Sequence, residues 1–115
     1  MRSQGRWSTV EQLVLVESME NYYNVEQNEF WTSVSYCVIK TLQMISNINT
    51  ARFSAEQCSY EWEELKKDYE NQLSRDYTAL QTINYCLRKK RIDELDREMN
   101  NVKNKLLRLQ ETPTY

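Results

Sequence analysis

Histidine is absent from the 115-residue sequence, and glycine and proline occur once each. Without an imidazole the chain has no ordinary general base near neutral pH. Any zinc site would have to use thiolates and carboxylates alone. No glycine-rich phosphate loop, nucleophile elbow or paired metal-ligand motif is present. The expectation is a protein that is not an enzyme and needs no cofactor or metal. Cys37, Cys58 and Cys86 are an odd, widely spaced set without a CxxC pair. They read as reduced thiols of an intracellular protein, not a disulfide framework. No apolar run is long enough for a signal peptide or a membrane span, so no membrane contact is expected. The sole proline, Pro113, stands near the end and leaves most of the chain without it as a breaker.

What is present favours helix. Glu, Gln, Lys, Leu and Asn fill long stretches. Aromatic residues make up 11% of a polar chain, with three Trp and eight Tyr that need burial or a partner. Residues 1–80 hold 7 basic and 12 acidic side chains, a net −5, whereas residues 81–115 hold 8 and 5, a net +3. An acidic globular part does not attract nucleic acid by its general field.

Ser8-Thr9-Val10-Glu11 is a capping box that opens a first helix running to about Tyr22. Its apolar residues fall on two faces: Leu15, Met19 and Tyr22 on one, Val10, Leu13 and Val14 on the other. The second face needs the tail helix or a partner. Asn28 is the expected cap of a second helix, Glu29 to about Lys40, with Trp31, Val34 and Val38 inward. Residues 41–52 read as a long, partly ordered loop. Ser54-Ala55-Glu56-Gln57 opens a third helix whose inner face is Cys58, Trp62 and Leu65. No breaker follows, so this helix is free to continue to Leu73.

The last element is the most regular. Ile92, Leu95, Met99, Val102, Leu106 and Leu109 form a heptad seam, with Ile92, Met99 and Leu106 at a and Leu95, Val102 and Leu109 at d. Leu80, Ile83 and Leu87 extend an apolar stripe upstream but out of phase by one step. A helix over residues 80–110 is about 45 Å long, more than a three-helix domain is wide. The seam spans under three heptads. It could meet helices of another subunit, pair with a second copy, or fold back on the first helix. In a parallel homodimer Arg91 faces Asp96 and Glu98 faces Lys103, both favourable; in an antiparallel one Arg91 faces Lys105.

One tryptophan per helix, in the patterns Trp7-Ser8-Thr9, Trp31-x-x-Val34-Ser35 and Gln57-Cys58-x-x-x-Trp62, resembles the Myb/SANT repeat. The resemblance covers residues 6 to about 69 and implies a core of Trp7, Leu15, Met19, Trp31, Val34, Val38, Cys58, Trp62 and Leu65. DNA-binding repeats carry basic residues on the third helix, which enters the major groove. Residues 54–70 here hold 6 acidic and 2 basic side chains. The likeness is therefore to SANT domains that bind proteins, with Glu61, Glu63 and Glu64 as a possible acidic contact face for a histone tail. Nucleic acid is the less favoured partner. Arg88-Lys89-Lys90-Arg91 reads as a solvated turn, a phosphate contact or a nuclear localisation signal.

The order RWSTVEQLVLVESM, FWTSVS, RFSAEQCSYEWEEL and LRKKRIDELDREMNNVKNKLLRL is similar to the N-terminal region of the bromodomain-containing subunits of the animal NuA-four/Tip-sixty histone acetyltransferase complex. That resemblance implies a nuclear, non-catalytic scaffold in chromatin remodelling and transcription regulation, joined to other protein subunits through its long helix. These residues contain no bromodomain, so acetyl-lysine binding is not implied; either the chain is part of a longer protein or that half of the likeness does not apply. The expected organisation is all-α: a Myb/SANT-like three-helix bundle at 6–70, a linker or helix continuation at 71–79, and an amphipathic coiled-coil helix at 80–110. The alternatives are a Myb/trihelix-type DNA-binding transcription factor and a SANT-type histone-tail reader.

Overall fold

The computed structural model describes residues 6–111, and Pro113 lies outside them. The described residues contain four α-helices and no strand: α1 Thr9–Asn21, α2 Gln27–Gln43, α3 Ala55–Asp68 and α4 Ala79–Glu111. Two 3₁₀ turns, Thr50–Phe53 and Glu70–Gln72, flank α3.

The Ser8 box forms in full. Ser8 Oγ accepts from the Glu11 N–H at 3.2 Å, and Glu11 Oε1 accepts from the Ser8 N–H at 2.8 Å. α1 then runs through the middle of the molecule and touches all three other helices. Its two apolar faces are both used. Leu15, Val16 and Met19 are buried, and Leu13 and Val14 pack against the same core.

α2 starts at Gln27, ahead of Asn28, and no side chain caps it. Asn28 therefore lies within the first turn and is not the cap. The helix also runs past Lys40 to Gln43, because Leu42 completes the Val34–Val38–Leu42 stripe and is buried. The loop expected over 41–52 shrinks accordingly. Ile45 and Ser46 N–H groups both donate to the Leu42 carbonyl at 3.0 Å. Asn49 Oδ1 then accepts from the Ala51 N–H at 3.1 Å and starts the 3₁₀ turn.

That turn delivers Phe53, which is 1% exposed. Its ring meets Trp7 edge to face at 4.8 Å. Its carbonyl accepts from Ser35 Oγ at 2.6 Å and from the Cys58 thiol at 3.4 Å. One residue thus ties the N-terminal segment, α2 and α3 together. Burial pushes the Cys58 thiol up to about 12.

Ser54 caps α3 by accepting from the Gln57 N–H at 3.3 Å, and Cys58, Trp62 and Leu65 face inward. α3 stops at Asp68 and does not continue to Leu73. The Tyr69 N–H closes on the Leu65 carbonyl at 3.1 Å, and Leu73 leaves in an extended conformation. Reversal here is what brings the chain back to α1.

Thr78 and Gln81 form a reciprocal pair of bonds at the start of α4, at 3.0 and 3.1 Å. Ile83 and Leu87 are fully buried in the core shared with α1 to α3, and Leu80 packs at its edge. Beyond them α4 leaves the body. The molecule measures 67 × 35 × 29 Å with a radius of gyration of 18.1 Å, against about 13 Å for a compact chain of roughly this size.

Trp31 is half-buried, stacked edge to face on Phe30 at 5.0 Å, and does not join Trp7 and Trp62 in the buried core. Phe53 takes the central position instead. Phe53→Ala should therefore cost about 3–5 kcal/mol, and Trp31→Ala clearly less. Urea unfolding of both variants checks this; an equal or reversed order would place the core elsewhere.

Candidate interaction surfaces

Of the three glutamates expected on an acidic contact face, one is inside. Glu61 is 0% exposed. Position 61 lies on the side of α3 that meets Arg6 and α1. Arg6 Nη2 and Nε donate to Glu61 Oε2 at 2.9 and 3.2 Å, and Gln12 Nε2 donates to the same oxygen at 2.9 Å. Arg6 Nη2 also reaches Asp68 Oδ2 at 2.8 Å, near the end of α3. The bond to Glu61 is the main reason the Arg6 guanidinium is held above its ordinary range. A carboxylate this deep is tolerable only when its lone pairs are met by donors and a countercharge.

The same segment is held from its other side. Arg52 Nη2 donates to the Arg6 carbonyl at 3.0 Å, pairs with Glu11 at 3.5 Å, and its guanidinium lies 5.8 Å from the Phe53 ring centre. Arg6, Trp7 and Ser8 thus form a clamp across α1, α3 and the 3₁₀ turn. Glu63 is exposed and pairs with Lys66 at 2.7 Å; Glu64 is half-buried and pairs with Lys67 at 3.4 Å. An open groove between α2 and α3 is lined by Trp31, Ala55, Glu56, Ser59, Tyr60 and Glu63. Its charged side chains are acidic.

The basic cluster is divided. Arg88 bonds Glu17 of α1 and donates to Asn84 at 2.8 Å. Arg91 pairs with Glu94 at 3.1 Å and Glu98 at 3.7 Å. Lys89 sits 5.5 Å from the Tyr85 ring centre, and Lys89 and Lys90 are exposed. The four cations do not form one free comb for phosphates.

α4 has two distinct halves. The first is fastened to α1 by Ile83 and Leu87, by Asn84 Nδ2 donating to Glu20 at 2.9 Å, and by Thr9 Oγ1 donating to Glu94 Oε2 at 2.6 Å. In the second half every seam residue is exposed: Ile92, Leu95, Met99, Val102, Leu106 and Leu109 range from 42% to 69%. Leu95, Glu98, Met99, Val102 and Lys103 line an open apolar hollow along it. Leaving six large apolar side chains against water in one row is unfavourable.

Among the described residues no group of three or more Cys, Asp or Glu is placed to hold a metal ion, and all three thiols are free. No described helix is long and apolar enough to cross a membrane.

Two measurements test the fastenings. Arg6→Ala should cost about 2 kcal/mol, below the roughly 3–5 typical of fully buried pairs because Arg6 is 39% exposed. In a cycle with Glu61→Gln, the double variant should cost at least about 1 kcal/mol less than the two single costs combined; simple additivity would show that the pair does not act as a unit. The second measurement uses pH. The Thr9 hydroxyl, with Arg91, holds the Glu94 carboxyl below its ordinary value of 4.5. A lowered carboxyl stabilises the fold above pH 4.5, and that contribution is lost as pH falls through the lowered value. The stability gap between wild type and Thr9→Val should therefore narrow as pH falls below about 4.5. A gap that stayed constant in acid-unfolding curves would rule this link out. Comparison with family models, curated proteins and solved structures finds no match to the chain.

Proposed function

We propose that this chain is a non-catalytic assembly subunit of a nuclear chromatin-modifying complex of the histone acetyltransferase class. In this reading α1 to α3 are a Myb/SANT-like bundle and α4 is an amphipathic, coiled-coil helix that joins the chain to other protein subunits. The observation that carries the reading is the exposed seam from Ile92 to Leu109. The body holds the helix at its base and leaves this apolar row uncovered. A surface of that kind is stable when another helix lies on it.

The chromatin setting and nuclear location rest on the resemblance of the four quoted segments, above all FSAEQCSYEWEEL with its Gln57-Cys58-x-x-x-Trp62 pattern. The geometry also weighs against the alternatives. A DNA reader needs cations on the third helix or a free basic cluster. On α3 the exposed acidic residues stand beside only two lysines, both paired within the helix, and Arg88 and Arg91 are engaged in ion pairs. A histone-tail reader loses Glu61, which serves Arg6 and Gln12 in the interior.

The test is co-purification with the other subunits of such a complex. Leu95→Asp combined with Met99→Asp should abolish association while the melting temperature of the body stays within about 2 °C, since both residues lie outside the core. Association that survived both charges would remove the seam from the mechanism.

A further inference from the structure

The seam does not continue the line along which α4 packs on the body. With about 100° of rotation per residue, Ile83, Leu87 and Glu94 share one line, and the seam residues share another roughly 100° further round. The first line faces α1: Ile83 and Leu87 are buried, and Glu94 takes the Thr9 hydroxyl. The second line is exposed from Ile92 onward. Upstream it turns polar. Gln81, Asn84 and Arg88 stand on it upstream, with Asn84 buried against Glu20 of α1 and Arg88 drawn aside to Glu17; the exposed Tyr85 holds the upstream a position. The apolar row therefore begins where α4 leaves the body and is accessible from the side.

The charges flanking this row choose an occupant. Arg91, Glu98 and Lys105 stand at g positions; Asp96 and Lys103 stand at e. In a parallel, in-register pair of this helix, g of one chain meets the following e of the other. Arg91 then faces Asp96 and Glu98 faces Lys103, each twice by symmetry, so four contacts are attractive. In an antiparallel pair, with Ile92 opposite Leu109, g meets g and e meets e. Arg91 faces Lys105 twice, Glu98 faces Glu98 and Lys103 faces Lys103, so four contacts are repulsive. The pattern is complementary to itself in one orientation and opposed to itself in the other.

We infer that the seam is covered by a second copy of this chain, in parallel and in register over residues 92–110. The inference rests on the reading of the seam as a contact surface and names what lies on it. The shortness of the coil is offset by its anchorage. A short isolated helix is marginal in water because its first turn is costly to form. Here that turn is already formed on the body by the Thr78–Gln81 bonds and the burial of Ile83 and Leu87. Of the three layers only Ile92 at a with Leu95 at d has the composition that favours two parallel strands, so the orientation rests on the flanking charges. The quarter-turn offset sets the two bodies at the flanks of the coil, not between its strands.

The test is sedimentation equilibrium of the full chain over a range of concentrations, with circular dichroism as the control for folding. The mass should rise with concentration towards twice 13.9 kDa. Glu98→Lys turns both Glu98–Lys103 contacts repulsive in the parallel pair and should weaken dimerisation about tenfold. Adding Lys103→Glu restores opposite charges and should recover affinity to within about threefold of wild type. An antiparallel pair would respond to neither change, because like charges still meet. A chain that stays monomeric, or a dimer indifferent to Glu98→Lys, overturns the inference. The reading of the seam as an assembly surface fails separately. A monomeric wild type whose Leu95→Asp/Met99→Asp variant loses the acetyltransferase subunits removes only the second copy. A wild-type dimer whose same variant becomes monomeric yet keeps those subunits upholds the second copy and removes only the assembly role.

Discussion

The fold depends on a helix that is apolar on two sides. α1 carries apolar side chains on two sides, with buried Thr9, Gln12 and Ser18 between them. A helix apolar on two sides must be covered on both. α2 and α3 cover one side, and no part of them reaches round to the other. The chain solves this by reversing at Tyr69 and laying the first part of α4 along the open side. The three-helix bundle is thus incomplete without α4, since Ile83 and Leu87 belong to the same core as Leu15, Val16 and Trp62. A boundary drawn between bundle and tail would cut that core.

Burying Glu61 imposes a second demand. Moving a carboxylate out of water costs several kcal/mol. Arg6 and Gln12 supply the donors, and because Arg6 precedes α1, the N-terminal segment must lie across α3 for the charge to be tolerated. Its position then places Trp7 on Phe53 and brings the Arg6 carbonyl within reach of Arg52. The ion pair contributes placement more than net stability. It sets where the first residues run, and the aromatic contact supplies the apolar burial that fastens them there.

Much of the architecture was legible because local rules and tertiary packing agree. The Ser8 box, the Ser54 cap, the stripe Cys58–Trp62–Leu65 and the long terminal helix are all readable as spacing and capping chemistry. Failures fall where long-range contacts decide. Phe53 follows a polar stretch that looks like a loop, and nothing local marks it as the residue three elements share. Glu61 sits among other acidic residues; Arg6, 55 positions away, and Gln12, 49 away, are donors that make it an interior group. Trp31 stands at core spacing, yet it packs half-buried against the edge of the core beside Phe30. The sequence leaves 71–79 open as linker or helix continuation, because the break is made by Tyr69 and the reversal, without a glycine or proline to mark it. The Thr78–Gln81 box carried a readable signature, and it fixes the start of the helix that matters most for contact.

The step out of phase between Leu87 and Ile92 is the feature on which exposure of the seam turns. Had the apolar line continued straight, the lower seam would share the face that α1 occupies. A partner would then have to come in along the same side as the body. Rotation by a quarter turn separates the two tasks on one rigid element. The face towards α1 ends in a polar fastening, Thr9 to Glu94, and Arg91 pairs with Glu94 and Glu98 at the margin between the two faces. The seam begins beside them on a helix already nucleated and oriented, so it is a preformed surface, on which any helix would lose less conformational freedom than against a disordered tail. The same offset explains why the apolar residues of α4 look irregular as one repeat yet regular as two: they form two lines, one packed on the chain's own first helix and one exposed along the rest of α4.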